Sequence, residues 1–218
     1  FEYDMKLSQN EWNATFLIPM LKVKAEECTV AGKHPDYREL SENNLRKLNF
    51  HIKELTKATG IKPGSWINEL NYSGFNSITG DKAKIFLDSV KTTLRKEIKT
   101  LSQARDSVYH VKTEQIGEGK FLRLRETDYN DRLADIVLNR MATNKIYESD
   151  RKLIQKADPV FMPPGSKYGR AHFYAPYKLL GNLKIATIVF NMSMIWLMTI
   201  VFFFALYYNL LKRFILWL

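Results

Sequence analysis

Apolar residues recur at helical spacing along most of the chain. Leu45, Leu48, Ile52 and Leu55 follow steps of three, four and three, which stacks them on one stripe of a helix, with Ser41 as the expected N-cap and Gly60 as the stop. Leu87, Val90, Leu94, Ile98, Leu101 and Val108 keep a longer seam and predict the longest helix, from Asp81 to His110, with Lys91, Lys96, Lys99 and Arg105 on its wet side. Leu133, Ile136 and Val137 share a face in a third helix expected over Tyr129–Met141. Glu11–Cys28 also reads as helical, and Pro19 is expected to kink or divide it.

Between these segments, Lys62–Trp66 and Asn71–Gly80 have the turn chemistry of loops. Strand is tempting only in GEGKFLRLRE, Gly117–Glu126, which reads as a turn with a short strand. The pattern then changes character. From Ile185 to Leu211, 27 residues pass without a charge. At about 1.5 Å per residue they reach roughly 40 Å against a hydrocarbon core of about 30 Å, so the run is expected to span a bilayer. The fold class expected is mainly α: a helical soluble domain followed by one C-terminal transmembrane helix. The expected boundaries are 1–156 for the helical domain, 157–183 for an ordered Pro/aromatic connector, 184–213 for the membrane helix and 214–218 for a short tail.

Asn191, Ser193, Thr199 and Asn209 interrupt the apolar run. A buried amide in hydrocarbon needs partners, so Asn191 reads equally as packed against other helices or as hydrated at the interface. Tyr174, Tyr177, Lys178 and Lys184 before the run, and Tyr207, Tyr208, Lys212, Arg213 and Trp217 at its far end, are expected membrane-interface anchors. Cations flank both ends, so the positive-inside count leaves the orientation open.

Composition alters this picture in one respect. The chain carries 33 Lys+Arg against 23 Asp+Glu, a net charge of +10. No Asp or Glu follows Asp158. In the helical portion Lys and Arg are interleaved with acids and no recognition motif accompanies them, so nucleic acid is not an expected partner. The lipid bilayer is, because Lys167, Arg170, Lys178 and Lys184 lead into the apolar run and suit anionic headgroups. The chain opens on Phe1 with no basic-then-apolar leader and is expected to be a processed chain or a portion of something larger.

Catalytic chemistry is not indicated, and no catalytic, cofactor or metal residue is assigned. Gly117–Lys120 lacks the spacing and the Ser or Thr of a phosphate loop. The histidines, His34, His51, His110 and His172, stand far apart, and Cys28 follows Glu26 and Glu27, which raise a thiol pKa. A weaker reading builds an enzyme site from scattered residues such as His110 and Asp128. The densest unusual composition is Ala157–Lys178, where Pro159, Pro163, Pro164 and Pro176 alternate with aromatics. Proline denies helix, so this stretch is expected to run extended as an ordered coupling.

NDRLADIVLN at Asn130–Asn139, KIYESDRKLIQKADPVFMPP at Lys145–Pro164, RAHFYAPYK at Arg170–Lys178, FN followed after three unmatched residues by IWLMT over Phe190–Thr199, and LYYNLLKR at Leu206–Arg213 follow one another in an order that resembles the C-terminal end of a family of large bacterial ABC exporters. In that family an ATP-binding cassette is fused to a type-2 ABC permease. The resemblance implies an ATP-driven inner-membrane transporter, of which this chain supplies the last soluble domain and the last transmembrane helix. It implies a periplasmic domain, a cytoplasmic C-terminus, and other permease helices and an ATP-binding cassette as partners, with an envelope protein as a further partner. ATP and Mg are implied only in the cassette, since this chain carries no phosphate loop. The alternative is a single-pass, membrane-anchored scaffold that recruits protein partners and transports nothing.

Overall fold

The computed structural model describes residues 2–172 and 175–209, apart from the side chain of Arg125. Phe1, Tyr174, Lys212, Arg213 and Trp217 lie outside the described residues. Helix covers 69% and strand 7%, so the chain is mainly α. It divides after Phe161 into two units, a helical body and a smaller C-terminal unit.

The body opens with α1 (Glu2–Trp12), a π-helical turn (Asn13–Leu17) and α2 (Ile18–Ala31). Pro19 neither divides this stretch nor ends it. A proline has no N–H to donate to the carbonyl four residues back, and its ring crowds that carbonyl. Here the turn before it widens to π geometry, which leaves Pro19 in the opening turn of α2, where a missing N–H is tolerated.

α3 (Arg38–Thr59) buries Leu45, Leu48, Ile52 and Leu55 as the spacing predicts, and Gly60 ends it at φ +73°, its N–H donating to the Thr56 carbonyl at 2.9 Å. Ser41 is not its N-cap. A 3₁₀ turn at Pro35–Tyr37 starts the helix earlier, and Ser41 lies buried within it, its carbonyl facing the Cys28 thiol at 3.8 Å.

α4 (Ser77–Ile116) is longer than predicted at both ends. The Asn76 side chain accepts from the Thr79 N–H at 2.9 Å and caps it, so Ser77–Gly80 belong to the helix and not to a loop. Gly80 is small for packing. A Cβ there would stand 2.8 Å from the Thr29 hydroxyl and 3.2 Å from the Phe75 ring. The other predicted loop, Lys62–Trp66, runs into a 3₁₀ helix, Ser65–Glu69, which buries Trp66 against Phe86. The α4 seam is buried from Leu87 through Leu94, half-buried at Ile98 and Leu101, and exposed at Val108.

The core therefore lies where α2, α3 and α4 meet: Leu21, Leu48, Ile52, Leu87, Val90 and Leu94 show essentially no surface. Beyond it the prediction of a strand at Gly117–Glu126 fails. Gly117 closes α4 at φ +88° and the chain re-enters helix at once as α5 (Glu118–Asp128). Among the described residues no strand pairs with the segment, while Phe121 packs edge-on against Tyr109 of α4 at 6.2 Å. α6 (Asp131–Val137) is shorter than Tyr129–Met141: Asn130 caps its start and Asn139, at φ +53°, turns the chain out of helix. Leu133 and Ile136 are exposed, so the predicted apolar face is not core.

Among the described residues four short strands stand where none was expected. β1 (Ile146–Glu148) and β2 (Leu153–Gln155) form an antiparallel hairpin with Ile146 opposite Gln155. It is fastened to the helices by polar groups. The Trp12 indole donates to the Lys145 carbonyl at 3.0 Å, and the Leu153 N–H donates to His51 Nε2 at 2.8 Å. The Glu148 carboxylate takes Lys47 Nζ at 2.7 Å and Lys24 Nζ at 3.1 Å. The hydrogen bond from Lys47 leads in holding the Glu148 carboxyl below its ordinary range. The start of the Pro-rich segment belongs to this unit as well, since the Ser8 hydroxyl donates to Asp158 at 3.3 Å.

Candidate membrane-anchoring site

The C-terminal unit is built from a second hairpin and one apolar helix. β3 (Tyr177–Leu180) and β4 (Leu183–Ala186) pair antiparallel, with Tyr177 opposite Ala186 and Leu180 opposite Leu183 around a Gly181-Asn182 turn. Gly181 takes φ +60°, a conformation that suits glycine. A third extended segment joins the other edge of β3. The Gly169 N–H donates to the Leu179 carbonyl at 2.7 Å, the Gly181 N–H donates to the Lys167 carbonyl at 2.8 Å, and Tyr168 bridges to Leu180.

α7 (Thr187–Tyr207) follows β4 directly. Its 21 residues rise about 31 Å, enough to cross a hydrocarbon core of about 30 Å, and none of its apolar window is buried. A core helix of a soluble domain hides its apolar surface; this one presents it on all sides. Among the described residues one helix is therefore long and apolar enough to span a membrane. It begins at Thr187, because Lys184, Ile185 and Ala186 are held in β4 and were placed in the helix by composition alone.

The start of α7 is tied to the sheet at several points. The Thr187 N–H donates to the Pro176 carbonyl at 3.0 Å and its hydroxyl to the Ala175 carbonyl at 2.5 Å. Lys178 donates to the Asn191 side-chain oxygen at 2.8 Å while its ammonium stands 4.5 Å from the Phe190 ring centre. Gly169 makes the close approach possible: it sits at φ +73°, and a Cβ on it would meet Phe190 Cζ at 2.6 Å. Gly169→Val is accordingly expected to cost at least about 1–2 kcal/mol of backbone strain and to push Phe190 off the sheet. Proteolysis of the detergent-solubilised chain checks this: cleavage between Tyr168 and Thr187 rises in the variant, and an unchanged pattern refutes the contact.

Of the predicted polar positions, Asn191 accepts from Lys178, and Thr199 bonds its own helix through the Ile195 carbonyl at 2.9 Å. Ser193 lies exposed on α7. Asn209 stands past the helix end at φ +50°, its N–H donating to the Leu206 carbonyl. Among the predicted anchors, Tyr177 carries the Lys184 ammonium 5.3 Å from its ring centre, and Tyr207 and Tyr208 stack on Phe203 and Phe204. Gly169, Thr187 and Phe190 were not foreseen. The Gly-Asn pair between two apolar runs, LL-GN-LKIA, is the hairpin signal that points to them.

Cys28 is buried and its thiol is pushed up to about 11, first by burial and then by Glu27. Gly119 and Lys120 of the phosphate-loop look-alike lie within α5. Asp128 lines a cleft with Arg105, Tyr109 and Tyr129, and His110 is not among the residues that line it. Among the described residues no group of three or more His, Cys, Asp or Glu is placed to hold a metal ion. Comparisons with protein-family models, with curated proteins and with solved structures found no match.

Proposed function

We propose that this chain is the terminal helical domain and last transmembrane helix of an ATP-driven exporter of the type-2 ABC permease kind, in a bacterial inner membrane. The observation that carries the reading is the fastening of α7 to its sheet. Thr187, Phe190 and Asn191 are each held by residues of the preceding segment, so the entry to the helix has no slack. A tether needs only a flexible linker, whereas a helix that moves with a permease must pass displacement on at its end. The ordered resemblance from Asn130 to Arg213 supports the same reading. The ATP-binding cassette, with ATP and Mg, then lies outside this chain, the helical body faces the periplasm and the C-terminus faces the cytoplasm.

Topology is tested by one cysteine. Cys28 is buried, so Ser107→Cys, on the exposed part of α4, adds the reactive thiol. A membrane-impermeant maleimide is expected to label Ser107→Cys in intact cells. Labelling that appears only after permeabilisation refutes the periplasmic assignment. The intact gene product decides the rest: a phosphate loop and further apolar spans upstream support an exporter, and a start codon near Phe1 leaves the single-pass scaffold. The exposed Leu122, Leu124 and Leu133 on α5 and α6 favour that alternative as a protein-recruiting surface.

A further inference from the structure

The tip of the β3–β4 hairpin carries an apolar row that the anchoring of α7 does not use. Tyr168, Leu180 and Leu183 are consecutive cross-strand neighbours, Tyr168 bridging Leu180 and Leu180 pairing Leu183. Directly opposed residues project from the same face of a sheet, so the three form one patch. They are 87%, 44% and 69% exposed. Lys167 precedes the row and Arg170 follows it on the same edge segment, both exposed. No acid lies within the unit to offset them, since no Asp or Glu follows Asp158.

The position of the row identifies what covers it. Gly169, the chain neighbour of Tyr168, is the residue against which Phe190 packs, and Lys178 reaches Asn191. The sheet thus lies beside the first turns of α7, and the apolar row is a single residue step, about 3.3 Å along the strand, from the row that touches the helix. At the end of a membrane-length helix that level is the headgroup zone. An exposed apolar row flanked by unneutralised cations is the pattern of an element that lies in that zone, with apolar groups at the acyl boundary and cations on phosphates.

We infer that the β3–β4 tip is a membrane-interface wedge, in which Tyr168, Leu180 and Leu183 enter the headgroup region while Lys167 and Arg170 bind the phosphates of anionic phospholipids. This rests on α7 spanning the bilayer. It goes further than an anchor: the sheet that grips α7 also reads the lipid around it, so a change in the anionic content of that leaflet acts on the helix through Gly169 and Lys178.

The test places an environment-sensitive nitrobenzoxadiazole label on Leu183→Cys, in a Cys28→Ser background, with the whole chain in bilayer nanodiscs. The label is expected to emit to the blue of one on Ser107→Cys and to be quenched several-fold more by a headgroup-level nitroxide lipid. Both effects are expected to be stronger with phosphatidylglycerol than with phosphatidylcholine alone, and Lys167→Gln with Arg170→Gln is expected to abolish that lipid preference. Inorganic phosphate at millimolar concentration leaves the signal unchanged if the ligand is a lipid. A label on Tyr168→Cys guards against local distortion at Leu183. If both labels stay water-like while α7 resists carbonate extraction, the wedge is overturned and the spanning helix stands. If α7 is itself extracted, the spanning reading falls first. A response to soluble polyglutamate without a response to vesicles assigns the patch to an acidic protein and overturns the lipid.

Discussion

Leu48→Ala is expected to destabilise the helical body by about 2–5 kcal/mol, a large share of the stability of an ordinary domain. Leu48 has no exposed surface, and it stands in the cluster where α2, α3 and α4 meet, so the cavity left behind is walled by side chains that are themselves immobilised. Ile136→Ala is the matched control. Its side chain is 74% exposed on α6, so the same kind of truncation is expected to shift stability by less than about 0.5 kcal/mol. Chemical denaturation followed by far-ultraviolet circular dichroism reads both. A loss of 2 kcal/mol in Ile136→Ala would show that α6 packs on the body, and a loss below 1 kcal/mol in Leu48→Ala would contradict the placement of the core.

Acidification is expected to loosen the β1–β2 hairpin through His51. Burial, chiefly, lowers its pKa to about 4 from the ordinary value of 6.5; Glu54 opposes this shift and Lys152 adds to it. The geometry demands the neutral ring, because Nε2 accepts the Leu153 N–H and a protonated ring has no lone pair to offer there. Between those two values the unfolded chain binds the proton that the folded chain refuses. His51's contribution is therefore complete above about pH 6.5 and is lost as pH falls toward 4, by about 3 kcal/mol in all at 1.36 kcal/mol per unit. The Glu148 cluster adds a loss of the same sign at lower pH, since its lowered pKa is maintained by Lys47 and Lys24. His51→Gln keeps a side-chain acceptor without a titration in this range, so its stability between pH 6.5 and 4.5 is expected to be flatter. Equal slopes in the two proteins would remove His51 as the cause.

How far the sequence was readable depended on where each element finds its partners. The stripe of α3 and the first half of the α4 seam were legible because helical spacing and burial coincide there. Val108, Leu133 and Ile136 keep the same spacing and are exposed, because periodicity reports that a face is apolar and not that anything covers it. Ser41 has the chemistry of a cap, yet a turn at Pro35 starts the helix before it. GEGKFLRLRE alternates like a strand and folds as helix, since a strand needs a partner edge and none stands beside this segment among the described residues.

At the anchoring site the same division holds. Tyr177, Lys178, Lys184 and Asn191 were visible as residue types suited to an interface, whereas their pairing was not. Lys178 and Asn191 are thirteen residues apart and meet only because β3 folds back beside α7. Gly169 was invisible for the same reason, as its lack of a side chain matters only once Phe190 lies over it.

Sequence alone determined that this is a mainly helical chain ending in a segment long and apolar enough to cross a bilayer, because both properties follow from spacing and charge within one stretch. Tertiary structure decided where the spanning helix begins, which residues grip it and which apolar faces remain bare. Those depend on hydrogen bonds and contacts between segments distant along the chain, which no local pattern specifies.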